Sequence, residues 1–186
     1  MRRLFLIAGL MTALGLAVVA ASAFAPANFA GTWSLDKTKS QGLDPRMQNA
    51  ESVTWTITQD DKQISIDSKV VAGAPAAGAP SGPGGGGGMG GGGGRGPAGP
   101  RVYSLDGKEA TTEAQGGSNT TKATWSGDGK ALELSSVRTG SRDGNEFKFT
   151  TVEKLSLSGD GKVLTAVRHS ESPRGAVDST LVLNKQ

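Results

Sequence analysis

The chain predicts an all-β fold, an antiparallel up-and-down meander of about eight to nine strands closing into a barrel. Three observations carry this. Apolar and polar residues alternate with period two wherever the chain is not turning. No segment after the first 23 residues shows sustained helical periodicity. The motif Ser-x-Asp-Gly-Lys recurs at 104–108, 126–130 and 158–162, each time between two strand-like runs. Asp-Gly supplies the backbone conformations that tight hairpins need. A β-sandwich is the alternative, but sandwiches favour longer crossover connections. Closure also removes exposed sheet edges.

Residues 1–23 read as an export signal. Met1-Arg2-Arg3 is positive, Leu4 to Ala21 is almost unbroken apolar sequence, and Ala21-Ser22-Ala23 fits a small-x-small cleavage site. An uncleaved anchor is the rival reading, since about 18–20 apolar residues span a bilayer. Ala and Gly dilute this run, and a cleavage site follows it. Cleavage leaves 163 residues, periplasmic or secreted, with no stable membrane insertion. Arg2 and Arg3 leave with the signal, so the formal charge falls from +3 to +1. No basic cluster remains to attract nucleic acid. The absence of cysteine excludes disulfides, thiolate metal sites and a lipid anchor on Cys.

Residues 24–186 read as a single domain, expected to be monomeric, interrupted at 72–100. That interruption is Gly/Ala/Pro-rich and has almost no side chain to bury, so a mobile loop is expected. The stretch before it holds only about three strands, too few to enclose a core. The pieces on both sides should therefore share one sheet system.

The strands follow in order. Trp33 and Leu35 share a face, as do Val53, Trp55 and Ile57. Ile64, Ile66 and Val70 continue the alternation. Thr38–Ala50 contains Gly42 and Pro45 and is allowed one or two helical turns. Beyond the insert the strand-like runs are 101–105, 120–125, 131–138, 146–157, 163–168 and 176–183. Leu132 with Leu134, Phe147 with Phe149, Leu155 and Leu157, and Val177 with Leu181 and Leu183 form apolar faces.

Phe29-Ala30-Gly31-Thr32-Trp33-Ser34-Leu35 resembles the Gly-x-Trp opening of the lipocalin and fatty-acid-binding-protein superfamily. The chain as a whole is similar to secreted bacterial lipocalin-like proteins, through Gly-Thr-Trp near the mature start, Asp-Gly-Lys turns and a closing strand ending in Lys. The resemblance implies that Gly31 and Trp33 form the structural barrel motif, with Trp33 closing one end. It also implies an arginine over that Trp, for which Arg168 is a loose match.

Chemistry is sparse. His169 is the only histidine, beside Ser170 and Glu171 at an expected strand end, and its spacing supports no catalytic serine arrangement. One His without Cys supplies no transition-metal cluster. One Asp per turn falls short of a calcium loop. The chain is read as a non-enzyme without cofactor. A barrel of this size is either filled by side chains or holds one small ligand. Trp55, Tyr103 and Trp125 are candidates to line such a cavity. Arg138 and Arg168 share strand parity with apolar residues and are candidates to clamp a carboxylate. The first expectation is a barrel binding or sequestering a small, mainly apolar or weakly acidic molecule. The second is a filled barrel acting as an envelope interaction module on another macromolecule.

Overall fold

A computed structural model describes residues 25–73, 99–114, 116–142 and 144–186. Residues 1–24, which include the segment read as an export signal, and residues 74–98 of the insert lie outside the described residues. The elements are β1 (Gly31–Leu35), α1 (Pro45–Asn49), β2 (Ala50–Gln59), β3 (Gln63–Ala72), β4 (Arg101–Ser104), β5 (Ala110–Ala114), β6 (Gly117–Trp125), β7 (Ala131–Arg142), β8 (Asn145–Leu157), β9 (Val163–Ser172) and β10 (Gly175–Lys185).

All ten strands join one antiparallel sheet, in the order β4-β3-β2-β1-β10-β9-β8-β7-β6-β5. Every neighbour but one follows in the chain; the exception is β1 against β10, which brings the first strand to the last (Trp33 opposite Lys185). β4 and β5 are consecutive in sequence yet not neighbours in the sheet, and β4 instead packs against β6. The result is a nearly closed barrel, and the two-sheet sandwich is ruled out. Strands from both sides of the insert pair directly, with Ile64 opposite Tyr103.

Among the described residues ten strands form where eight to nine were expected. The extra one, Ala-Thr-Thr-Glu-Ala on β5, carries no large apolar side chain and so gave no alternation signal. It pairs with β6 through backbone bonds and a hydroxyl contact, Thr111 Oγ1 to Thr120 Oγ1 at 2.9 Å. The turn at 104–108 therefore links strands that do not form a hairpin. The allowed helical turn is α1, started by Pro45 and by the Asp44 carboxylate, which accepts from the Arg46 and Met47 amides at 2.8 and 3.0 Å.

The other two Asp-Gly-Lys turns are built alike. The Ser126 and Ser158 hydroxyls each donate to the aspartate two residues on, at 2.6 Å, and accept from the amide five residues on, at 2.9 Å. The aspartates also accept from the Lys130 and Lys162 amides at 3.1 Å. Gly129 and Gly161 both sit at φ 68°, which an L side chain adopts only with strain.

The core fills one end of the barrel. Trp33 is wholly buried; its indole N–H donates to the Phe29 carbonyl at 2.9 Å, and Lys185 Nζ lies 5.3 Å from its ring centroid. Gly31, at φ +142°, lets that lysine pass: a Cβ there would meet Lys185 Cε at 3.2 Å. Lys185 on the last strand thus holds the position that the resemblance assigned to an arginine, and Arg168 lies elsewhere. Phe29, also wholly buried, stacks on Trp125 with centroids 6.0 Å apart. Gln59 ties the segment across this end by accepting from the Phe29 amide and donating to the Ala27 carbonyl, at 2.9 and 3.0 Å. Leu35, Leu183, Leu164 and Leu157 form one cross-strand rung above it.

Candidate ligand-binding site

The inner face changes character along the long strands. β7 and β8 hold 12 and 13 residues, roughly 40 Å of extended chain at about 3.3 Å per residue. Only part of that length is packed. On β7 the inward Leu132 and Leu134 are buried, whereas Ser136 and Arg138 are half-buried. On β8 Leu155 and Glu153 are buried, whereas Thr151, Phe149 and Phe147 are half-buried. On β10 Leu183 and Leu181 give way to Ser179 and then to Val177, which is 60% exposed although it shares their parity. On β7, β8 and β10 the inward positions are therefore packed toward the Trp33 end and partly exposed beyond it, whereas on β2 the buried positions continue from Ile57 through Val53 to Ala50.

A charged cluster marks the transition. Glu153 and Arg168 are cross-strand partners on β8 and β9, in a rung with Leu134. Glu153 Oε1 accepts from Arg168 Nε at 3.2 Å and from Nη2 at 2.6 Å, while Oε2 accepts from Arg101 Nη1 at 2.7 Å. β4 and β8 are not sheet neighbours, so the Arg101–Glu153 pair crosses the barrel interior. The Trp55 ring lies beneath both guanidiniums, with its centroid 5.5 Å from Arg101 Cζ and 5.9 Å from Arg168 Cζ. Burial alone would push the Glu153 carboxyl up, but the two guanidiniums outweigh it and hold the group at about 2. The carboxylate is sealed at 1% exposure, while the Arg101 and Arg168 side chains keep 28% and 21%.

The candidate residues divide between the two regions. Trp55, Arg168 and Tyr103 meet at the cluster, Tyr103 buried on β4 with its hydroxyl against Arg101. Arg138 lies further out on the inner face, its Cζ 5.7 Å from the Phe147 ring centroid. Trp125 belongs to the packed end, where it stacks on Phe29, and Trp33 plugs that end. Glu153 and Arg101 were missed. The signal existed for both: Glu153 shares parity with Leu155 and Leu157, and Arg101 shares parity with Tyr103.

His169 lies within β9, not at its end, and half of its side chain remains exposed. Its Nδ1 is 2.6 Å from Asp178 Oδ1, and its Nε2 is 3.4 Å from Glu171 Oε1. Ser170 takes the opposite face and meets the Thr151 hydroxyl at 3.4 Å, so the histidine and its neighbouring serine cannot act together. Among the described residues, no group of three or more His, Cys, Asp or Glu side chains is placed to hold a metal ion.

No family model and no curated protein matches the chain. Among solved structures it is similar to the crystal structure of zebrafish ileal bile acid-binding protein complexed with cholic acid. The identity is 12% and the TM-score 0.44, covering 85% of this chain and 98% of the other. A likeness this distant adds nothing to the assignment of the site, which rests on the strand register and the burial pattern.

Proposed function

We propose that this chain is an exported binding barrel that holds or sequesters one small, mainly apolar or weakly acidic molecule against the partly exposed inner faces of β7, β8 and β10. The observation that supports this reading is the break in packing along single strands. Inward positions are sealed up to Glu153 and half-open beyond it, and the half-open part still carries Phe147 and Phe149, whose rings sit 5.5 Å apart. Apolar walls with a few placed polar groups are what a small-molecule site requires. The packed end also suits the alternative of a filled interaction module. However, the exposed valines are spread out: Val71 and Val102 lie on the neighbouring strands β3 and β4 but Val102 is opposite Ser65, six positions from Val71, and Val167 lies on β9.

The test uses the neutral fluorophore N-phenyl-1-naphthylamine and the variant Ser136→Trp, which places a bulky ring on the inner face outside the packed core. Saturable fluorescence enhancement with the natural protein, lost in the variant while folding is retained, supports the reading. No enhancement, or equal enhancement in both, overturns it. N-terminal sequencing of protein recovered from outside the host's inner membrane tests export, with a start at Phe24 as the expected result.

A further inference from the structure

We infer that the free edge of β3, from Ser68 to Ala72, is a pairing surface for a second copy of this chain, the two β3 strands running antiparallel about a twofold axis at Val70. The monomer expected from the sequence is then one half of the assembly. This edge is distinct from the inner faces of β7, β8 and β10 on which the binding reading rests.

Backbone direction comes first. Along an antiparallel strand the amide and carbonyl groups of successive residues point to opposite sides. The Lys62 carbonyl, just before β3, accepts from the Leu105 amide at 2.7 Å, so even-numbered residues point toward β4. The Gln63 carbonyl accepts from the Asp60 amide at 3.0 Å, and the Gly73 amide donates to the Asn49 carbonyl at 3.2 Å, so odd-numbered residues point toward β2. β4 covers the even side only as far as Ile66, which faces Arg101; Pro100 and Gly99, the latter at φ +127°, end the ladder there. Ser68, Val70 and Ala72 therefore present their amides and carbonyls to an edge that no other strand meets among the described residues.

The side chains leave this edge open as well. Every residue from Asp67 to Ala72 is exposed, Val70 at 44% and Val71 at 37%. An unpaired edge strand is a template for further pairing, and prolines and charges are the usual guards against it. Between Ser68 and Ala72 there is no proline, and Lys69 is the single charge.

Register selects the occupant. The other free edge, on β5, is a poor match. The Gly116 carbonyl accepts from the Ser141 amide, so the odd-numbered residues of β6 face β5, where Gly117 pairs with Ala114. That leaves only Thr111 and Glu113 of β5 pointing outward. A second β3 brings the matching set. With the axis at Val70, each Val70 faces its counterpart and each Ser68 faces the other copy's Ala72. Every free residue on both sides is then paired, through about six backbone hydrogen bonds. A register shifted toward Ile66 would drive the second strand into β4. On the outer face each Val71 lies opposite the other copy's Lys69, whose aliphatic stem covers it.

The test is sedimentation equilibrium of the natural protein from about 5 to about 500 µM, a range suited to a small interface. The mass should rise toward that of two chains. Val70→Pro removes an N–H that points out of the sheet, so the fold is kept and the mass should stay that of one chain throughout. Should that variant fail to fold, Val71→Lys sets like charges opposite each other twice and should raise the dissociation constant about fivefold or more. Cross-linking reads the register, because the natural chain has no cysteine. Val70→Cys puts two thiols on the axis, with Cα atoms about 5.5 Å apart, and diamide should oxidise them to a disulfide dimer. Ser68→Cys sets them about 13 Å or more apart and should stay uncoupled. A single-chain mass at every concentration overturns the pairing and leaves the edge to an extended segment of another protein. Association unchanged in both variants, or equal coupling at positions 68 and 70, overturns pairing at this edge.

Discussion

Arg168 on β9 and Glu153 on β8 face each other in register inside the barrel, joined by hydrogen bonds of 2.6 and 3.2 Å. Removing one partner from such a pair leaves an uncompensated buried charge. Glu153→Gln should destabilise the protein by about 3–5 kcal/mol in urea unfolding at neutral pH. The sign of its pH dependence follows from the depressed carboxyl. Its contribution is fully present above the ordinary value of 4.5 and is lost as pH falls toward about 2. The stability gap between the natural protein and Glu153→Gln should therefore close across that interval, which a series of urea titrations reads directly.

Trp33 is the plug of the packed end, and its two functions can be separated. Trp33→Ala removes the ring and should cost about 3–5 kcal/mol. Trp33→Phe keeps most of the apolar volume but loses the bond to the Phe29 carbonyl, and should cost about 1–2 kcal/mol. Denaturant midpoints at unchanged slope check both; equal losses would show that the hydrogen bond, rather than the burial, dominates.

The matched turns at 126–130 and 158–162 predict matched penalties. Gly129→Ala and Gly161→Ala each force an L side chain to φ 68° and should cost about 1 kcal/mol, nearly the same at both sites. The Asp128 and Asp160 carboxyls are held below the usual range, first by the serine hydroxyls and then by the lysine amides. Carbon-detected NMR titration should find both low, and Ser158→Ala should raise Asp160 while leaving Asp128 unmoved.

His169 is raised above 6.5, first by its hydrogen bond to Asp178 and then by Glu171. The imidazolium form is the one these carboxylates favour, so the stabilisation is present at low pH and disappears as pH rises through the folded value. Proton NMR should record a titration above 6.5 that falls toward it in Asp178→Asn. Retention of the high value in that variant would remove Asp178 as the principal cause.

Local pattern made much of this molecule readable in advance. Strand parity placed Trp55, Ile57, Leu132, Leu134, Leu155 and Leu183 on inward faces, because side chains on a strand alternate whatever the strand later pairs with. The Asp-Gly-Lys turns were legible for the same reason: their bonds stay within five residues. Parity likewise brought Arg168 and Arg138 to the inner face.

The tertiary structure alone decided what those inward residues meet. Arg101 and Glu153 are 52 positions apart and touch only because the sheet curls until β4 faces β8 across the interior. The difference between Leu181 and Val177, equal in parity but sealed and exposed respectively, depends on where opposing walls come together. Period-two alternation states which side of the wall a residue occupies. It carries no information about the distance to the opposite wall, and that distance separates the sealed inward positions of this barrel from the partly exposed ones.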